Sequence, residues 1–363
     1  MNVADPNIAD RRPALELPPA PERSFASDNS AGVHPAVLEA LAAANHGHAL
    51  AYGDDDLTRA VEGRFRDLFG TDVDVFLVWG GTGANVLSLA TMLGPAQAVV
   101  ASDCSHIAVD ETGAPERILG AKIIELDAPD GRLQPDQIDD LAHLLGVEHH
   151  AQPGVVSITQ STELGTLYSP ADVAALAETA HRHGMALHVD GARIANAAAA
   201  LGGDLRACTV DAGVDVISFG GTKNGMMYGE AVVYLTREYA RAARYVRKQV
   251  TQLPSKMRYV AAQFLALFED GRWLELASHA NATSLDLYER VNDLPAVDLD
   301  GPPIVNSLFP RLPRDVARRL QAWCPFYDWD VGTGQVRWMT AWDTTSDDVE
   351  RFAAGVRAAC APG

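Results

Sequence analysis

The stretch MALHVDGARIANAAAALGGDLRACTVDAGVDVISFGGTKNG, residues 185–225, decides the fold. Two short apolar runs, at 185–190 and 215–220, have the composition of buried strands, and a helical pattern at 192–200 lies between them. Strands that alternate with helices are typical of a mainly parallel sheet whose two faces are covered by helices. The stretch therefore predicts one repeating unit of an α/β fold.

The same alternation extends along most of the chain. It predicts further strands at 74–79, 98–102, 122–126, 154–159 and 230–235, and helices at 35–44, 54–69, 83–93, 135–145 and 170–183. Beyond about residue 240 the order changes, with helices at 237–250, 256–268, 273–290, 313–322 and 346–360 and strand-like runs at 304–309 and 335–342. We expect a large α/β domain over 25–255 and a smaller α+β domain over 256–363.

The composition excludes several classes of partner. The chain of 363 residues has 29 basic and 48 acidic side chains, for a formal net charge of −19. A field of that sign repels nucleic acids and anionic membranes, so we expect neither as a partner. No apolar run approaches the roughly 20 residues that a membrane-spanning helix requires.

The amino terminus and the cysteines indicate the compartment. Residues 1–24 are rich in proline and lack a repeating apolar face, which predicts a mostly flexible leader. They also lack the basic and then apolar pattern of a secretory signal. The four cysteines are scattered and form neither a CxxC nor a Cys/His metal pattern, which indicates free thiols and no metal site. We therefore expect a cytoplasmic protein.

Three predicted strands end in residues that can carry chemistry, and ligands of open α/β sheets bind beyond such ends. GGTGAN at 80–85 runs into a helix, where glycines and free N–H groups suit an anion. Asp190 and Lys223 follow two other strands. Each has an ordinary alternative: a structural turn, a helix cap or an exposed loop lysine. Together they supply what pyridoxal 5'-phosphate needs, namely a phosphate site, an acid beside the pyridine nitrogen and a lysine for the aldehyde.

Longer motifs resemble a known family. They are SDNSAG at 27–32, AYGDDD at 51–56, GGTGAN at 80–85, SHIAVDETGAPE at 105–116, HVDGAR at 188–193 and GGTKNG at 220–225. These motifs, from about Ser27 to Trp342, resemble the threonine aldolase / β-eliminating lyase family, pyridoxal-phosphate enzymes of the aspartate aminotransferase-like fold. The resemblance implies retro-aldol cleavage of L-threonine or L-allo-threonine to glycine and an aldehyde. It also implies a homodimer, or a homotetramer, with active sites shared between subunits.

The resemblance assigns a role to each matching position. The cofactor contacts that it implies are Lys223 for the aldehyde, Asp190 for the pyridinium, His106 stacked on the ring, and Gly81, Thr82, Gly83 and Thr222 for the phosphate. The residues that it implies for the amino-acid substrate's carboxylate are Ser27, Arg193 and Arg337, and those near the site are Tyr52 and Lys248. Taken alone, several of these have other readings: His106 as a core or surface histidine, Arg337 as a solvated strand residue, and Lys248 as part of a charged helix face.

Two departures from the family pattern concern the reacting hydroxyl. Glu163 stands in a segment where other branches carry a histidine, and the familiar HWD ending reads AWD at 341–343. The group that takes the β-hydroxyl proton is therefore open, with Glu163 or a water near His106 as candidates. The same cofactor also supports β-elimination or transamination, because a fold does not select a reaction, and a catalytically silent binding protein is the remaining alternative.

Overall fold

The computed structural model describes residues 17–361 and has a seven-stranded central sheet. Its strands are β1 Asp74–Val78, β2 Gln97–Ser102, β3 Lys122–Leu126, β4 Gln152–Thr159, β5 Ala186–Gly191, β6 Val216–Gly220 and β7 Glu230–Tyr234. Their order across the sheet is β1-β7-β6-β5-β4-β2-β3. Strand β7 runs antiparallel to both of its neighbours, and every other pairing is parallel. The predicted mainly parallel α/β fold is confirmed.

Helices cover both faces of this sheet. In the first part of the chain they are α1 Pro35–Ala44, α2 Asp56–Phe69, α3 Gly81–Met92, α4 His106–Val109, α5 Ala114–Leu119, α6 Pro135–Asp140, α7 Pro170–Arg182 and α8 Ile194–Ala200. Later helices are α9 Ala243–Gln249, α10 Arg258–Phe268, α11 Arg272–Val291, α12 Arg314–Trp323 and α13 Ser346–Cys360. Within residues 17–361, none of these helices is both long and apolar enough to cross a membrane.

Local sequence accounts for where several helices begin and end. Helix α2 begins after Asp55, whose carboxylate accepts the Thr58 N–H at 2.8 Å, and it ends at Gly70 in the left-handed conformation. Helix α7 has a capping box formed by Ser169 and Asp172. These end signals fall where the sequence pattern predicted the boundaries to within about two residues.

The apolar residues on the two faces of the sheet form separate clusters. One cluster packs α2, α7, α8 and α10 against one face and includes Phe65, Leu187 and Phe264. The other packs α3 against the opposite face and includes Leu87 and Val232. The parallel strands, buried on both sides, accordingly read as near-continuous apolar runs.

The carboxyl-terminal part has its own small sheet and core. Strands β8 Ser307–Leu308, β9 Tyr327–Asp330 and β10 Gln335–Met339 pair in the order β8-β10-β9, all antiparallel. Helices α12 and α13 pack on them around Phe352 and Trp338. The sequence analysis did not predict β9, because YDWD is mostly exposed and its alternation of an aromatic residue with an aspartate spans only four residues.

Helix α11 belongs to both cores. Its first half contributes Trp273 and Ala277 to the core of the large sheet, and its second half contributes Leu287 and Val291 to the carboxyl-terminal core. Helix α10 also packs on the large sheet. The division between the two cores therefore lies within α11, about 25 residues after the expected boundary at 255/256.

Part of the expected leader is packed against the carboxyl-terminal core. Leu17 contacts that core, the Pro18 carbonyl accepts the indole N–H of Trp323 at 2.7 Å, and the backbone N–H groups of Glu22 and Arg23 donate to Asp348. Residues 17–24 thus differ from the flexible leader expected for 1–24. The remainder of that prediction, residues 1–16, lies outside the described residues.

Candidate active site

Strands β1, β5 and β6 end at the same edge of the sheet, and the residues that follow them meet in one pocket. Among the predicted site residues, those that line it are Gly81, Thr82, His106, Glu163, Asp190, Arg193 and Lys223. Asn85, Glu111, Thr159, Ser161 and Ala192 line it as well. The structure therefore brings together the glycine turn, the carboxylate and the lysine that the sequence placed at separate strand ends.

The first turn of α3 forms the anion-binding side of the pocket. Gly80 precedes the helix, and in the described structure no side chain caps its free N–H groups. A Cβ atom built on Gly80 or Gly81 would meet no described atom within 4 Å, so the space above the turn is open. Gly83 differs, because its Cβ would lie 2.2 Å from the Gln252 side chain and the residue does not line the described pocket. Gly83 permits close packing of Gln252.

Asp190 is buried at the end of β5 and held by two donors. The Asn85 amide donates to its Oδ2 at 2.7 Å, and the Ala192 N–H donates to its Oδ1 at 3.0 Å. The bond from Ala192 is the local backbone contact expected if Asp190 acts as a helix cap, so Asp190 has in part that ordinary role. The Asn85 bond comes from α3, so the position of this carboxylate is tied to the helix that carries the glycine turn.

His106 belongs to the same hydrogen-bond network. Its Nδ1 lies 3.2 Å from Oε1 of Glu111, and that oxygen also accepts the Asn85 amide at 2.9 Å. The Glu111 side chain is fully buried, and its hydrogen bond raises the pKa of His106 above the ordinary value. A chain of polar contacts therefore runs from His106 through Glu111 and Asn85 to Asp190.

Glu163 faces the pocket with one carboxylate oxygen committed and the other free of partners. Its Oε1 accepts the His106 backbone N–H and the Thr159 hydroxyl, both at 2.8 Å. Its Oε2 is buried and has no hydrogen-bond partner among residues 17–361. Burial, assisted by the nearby Asp190 carboxylate, raises the pKa of Glu163 to about 7. A carboxylate whose pKa is raised to this value can accept a proton near neutral pH.

Two arginines lie beside the pocket. Arg193 is paired through Nε and Nη2 with the buried Asp28 carboxylate, at 2.6 and 2.9 Å. Arg337, on β10, donates from Nη2 to the Ala26 carbonyl at 3.3 Å, while its buried Nε finds no partner in the described part of the chain. Burial and the positive charge of Arg193 both lower the pKa of Arg337. An anion bound at Arg337 and Arg193 would satisfy the free donor and offset this repulsion.

The structure does not bring every predicted residue to the pocket wall. Ser27 caps the turn that carries Asp28, and its hydroxyl accepts the Asn29 N–H at 3.2 Å. Thr222 lies beside the buried carboxylate of Glu230. Tyr52 and Lys248 are exposed and lie together, with the Lys248 amine 5.2 Å from the Tyr52 ring centroid. Over residues 17–361, these side chains and Arg337 do not line the pocket.

Sequence reasoning missed four polar residues that line the pocket, namely Asn85, Glu111, Thr159 and Ser161, and it also missed the buried Glu230 beside the lysine turn. Asn85 and Glu111 stand inside quoted motifs but far from each other in sequence, and Glu230 opens a strand that reads as purely apolar. The signal available for Asn85 was its place one helical turn after Gly81, on the face that carries the glycine turn. The partners of Glu111 and Glu230 are set by tertiary packing.

The chain is similar to several known proteins. The family model described as β-eliminating lyase matches residues 24–309. Low specificity L-threonine aldolases from a Pseudomonas species and from Pseudomonas aeruginosa are each 41% identical over 93% and 92% of this chain and 97% of theirs. The solved structure of Leishmania major threonine aldolase is 30% identical, covers 93% of this chain and 99% of that one, and superposes with a TM-score of 0.88. The chain belongs to the threonine aldolase / β-eliminating lyase family.

Proposed function

We propose that this protein cleaves L-threonine and L-allo-threonine, as β-hydroxy-α-amino acids, to glycine and an aldehyde, with pyridoxal 5'-phosphate as cofactor. The observation that carries the proposal is the meeting of Lys223, Asp190 and the Gly81–Thr82 turn in one pocket with Glu163. The relatives that are 41% identical are named low specificity L-threonine aldolase, which supports the same reaction.

The residues of the pocket fit the cofactor. Lys223 would hold its aldehyde, Asp190 would hold the proton on its ring nitrogen, and the uncapped N–H groups at Gly81 and Thr82 would hold its phosphate. The open space above Gly80 and Gly81 gives room for an anion at this turn. When bound, pyridoxal phosphate supplies an aldehyde for the substrate amine and a ring that accepts the electron pair left on Cα.

The two arginines would orient the substrate. Arg337 offers a buried Nε without a described partner, and Arg193, which is held by Asp28, lines the pocket. A substrate carboxylate fits this cationic pair, because each unmet N–H is costly when buried and a charge-assisted bond satisfies it. Held in this way, the amino acid has its scissile Cα–Cβ bond fixed relative to the pocket.

Glu163 is the base that we propose for the β-hydroxyl proton. Its Oε1 is committed to His106 and Thr159, so Oε2 is the oxygen available to take the proton. Because the pKa of Glu163 is raised to about 7, the carboxylate is substantially ionised at neutral pH and is basic enough to accept it. This arrangement replaces the histidine of other branches of the family.

The cofactor-bearing lysine gives the direct test. Purified protein with pyridoxal phosphate should show a visible absorption band and release equimolar glycine and acetaldehyde from threonine. Lys223→Ala should lose the band and at least about a thousandfold in kcat, because a covalent route is removed. Retained acetaldehyde release by the variant contradicts the assignment. 2-Oxobutyrate and ammonia without glycine would instead indicate β-elimination of threonine, and a pyridoxamine product would indicate transamination.

We also propose a homo-oligomer, as a dimer or tetramer, with sites shared between subunits. Tyr52 and Lys248 are exposed in the single chain and lie outside the described pocket, as expected for residues that serve a neighbouring subunit. Sedimentation analysis tests the oligomeric state, and a monomer that is fully active contradicts the proposed homo-oligomer.

A reducing, cytoplasmic location is our proposal for the compartment, because the structure as described over 17–361 has all four cysteines as free thiols.

A further inference from the structure

Glu230 occupies an unusual position for a carboxylate. It is the first residue of β7, it is buried, and β7 lies between β1 and β6 in the sheet. In register it stands opposite Val78 on one side and Gly220 on the other. Val78 is followed, after Trp79, by the glycine turn of α3, and Gly220 is followed at once by the lysine turn at 221–223. Glu230 therefore lies between the two turns that build the pocket.

The Glu230 side chain lies on the sheet face that α3 covers. Its cross-strand partner Val78 and the next residue on its own side, Val232, both belong to the cluster packed against α3. Its Oε2 accepts the Gly221 N–H at 2.5 Å, which ties it to the lysine turn. A Cβ on Gly221 would lie 2.9 Å from the Gly229 carbonyl, so the two backbones are in contact here. The carboxylate thus sits beneath the start of α3.

The charged surroundings of this carboxylate are sparse. From the lysine turn it faces Lys223, whose charge opposes the effect of burial, and the Thr222 hydroxyl. From β1 and the first turn of α3 it faces Val78 and uncharged residues of the 80–85 stretch. Helix α10 contributes Val260 and the neutral amide of Gln263 near Gly229. Arg247 of α9 contacts β1 at the Leu77 carbonyl, and its charge acts on Glu62 and Tyr234. Burial raises the pKa of Glu230 to about 7.

We propose that Glu230 takes up one proton when the phosphate group of the cofactor binds at the Gly81–Thr82 turn, so that cofactor binding is coupled to proton uptake. This inference rests on the proposed function, which supplies the phosphate-bearing ligand. A phosphate dianion above the turn and a carboxylate anion below it would repel each other in a medium of low dielectric constant. Protonation of the carboxylate removes that repulsion and leaves its second oxygen able to accept the Gly221 N–H.

The coupling predicts how cofactor affinity depends on pH. The pKa of Glu230 is about 7 before binding, so more of the carboxylate must take up a proton on binding at pH 8 than at pH 7. From pH 7 to pH 8, the affinity of the wild-type apoenzyme for pyridoxal phosphate should therefore fall by about fivefold more than the affinity of Glu230→Gln falls. Pyridoxal, which lacks the phosphate, should show no such difference between the two proteins. Titration of protein fluorescence with each ligand measures both affinities and does not depend on turnover.

Glu62→Gln is the matched control. Glu62 is another carboxylate whose pKa is raised by burial, but it lies near Asp74 at the opposite end of β1. This variant should keep the wild-type pH dependence. Equal pH dependence in wild type and Glu230→Gln overturns the inference, whereas absence of pyridoxal phosphate binding at every pH overturns the proposed function instead.

A second measurement covers the case in which Glu230→Gln does not fold. Calorimetric titration of wild-type protein at pH 8, in two buffers of different ionisation enthalpy, counts protons taken up with pyridoxal phosphate and with pyridoxal. Uptake approaching one proton only with the phosphate ester is expected, and equal uptake overturns the inference. Phosphorus NMR of the bound ester shows whether the phosphate itself is protonated, and a monoanion there also overturns it.

Discussion

At the scale of single residues, the proposed base Glu163 determines how the reaction should depend on pH. A general base works in its ionised form, and the pKa of Glu163 is raised to about 7 by burial. The value of kcat/KM, which reports the ionisation of the free enzyme, should therefore rise with pH through about 7 and then level off. Glu163→Gln should remove this limb and lower kcat by about a hundredfold to ten-thousandfold, because general-base catalysis is worth that range.

The control for this prediction is Thr159→Val, which removes a hydrogen bond to Oε1 and leaves the carboxylate in place. That variant should keep the acidic limb, shifted to higher pH, because one hydrogen bond that stabilises the anion is lost. An unchanged acidic limb in Glu163→Gln would assign the proton to another group, such as a water near His106.

Glu111 acts on the site through His106. Its hydrogen bond raises the pKa of the imidazole, so Glu111→Gln should lower the pKa of His106 as measured by an NMR titration of the apoenzyme. Glu125→Gln, on the exposed edge strand β3, should leave the imidazole titration unchanged.

At the scale of secondary-structure elements, the amino end of α13 is held by one buried carboxylate. Asp348 accepts the Thr345 N–H and hydroxyl in a capping box, and it also binds the Arg23 side chain at 2.9 Å. Asp348→Ala should lower the free energy of unfolding by about 2–3 kcal/mol, because a cap is lost and several donors lose their acceptor. Denaturant or thermal unfolding measures this.

The neighbouring Asp347 gives the comparison. It makes only an exposed pair with Arg351, so Asp347→Ala should cost less than about 0.5 kcal/mol. Although burial opposes it, the Thr345 hydrogen bonds hold the pKa of Asp348 below its ordinary value. The stabilisation is therefore present at neutral pH and is lost as the pH falls through that lowered value. Similar losses in both variants would contradict the proposed cap.

The strands of the large sheet were predictable because burial on both faces leaves a clear apolar signature. Strands β1 to β6 lie within about two residues of their predicted ranges. The direction of β7 was not predictable, since an apolar run such as EAVVY carries no mark of parallel or antiparallel pairing. Strand β9 was missed because it is short and mostly exposed, and its two aromatic residues, Tyr327 and Trp329, contact the Arg337 guanidinium.

At the scale of the whole molecule, the proposed sharing of sites between subunits can be tested by a complementation experiment. Lys223→Ala and Lys248→Ala should each be impaired, but mixed subunits should form some sites with both lysines. For a two-fold dimer with random exchange, activity should recover to about a quarter of the wild-type value. As the control, subunits with Lys223→Ala are exchanged with subunits with Lys223→Arg. This mixture should stay inactive, because every site in it lacks Lys223. No recovery would place Lys248 outside the partner's site.

The candidate site was predictable where one residue at a strand end identifies the chemistry, and less so where the chemistry lies in contacts. Asp190 and Lys223 stand out because each lies at or just beyond the end of a buried strand, with a glycine within two residues. The pairing of Arg193 with Asp28 joins positions 165 residues apart. No local pattern in a single sequence carries that contact, nor the carboxylate at 230 that sits between two turns.

Arg337 and Arg193 are anchored to different parts of the molecule, and this difference has a mechanical consequence. Phe25 stacks on Phe352, so the neighbouring 26–28 segment is anchored to the same body as Arg337 on β10. Arg193, in contrast, is rooted at the end of β5, and the bidentate pair with Asp28 joins it to that body. Any tilt of one core against the other would move Arg337 and the 26–28 segment together, relative to Lys223. The Asp28–Arg193 pair is thus the contact that would keep Arg337 and the 26–28 segment aligned with the end of the large sheet that carries Lys223.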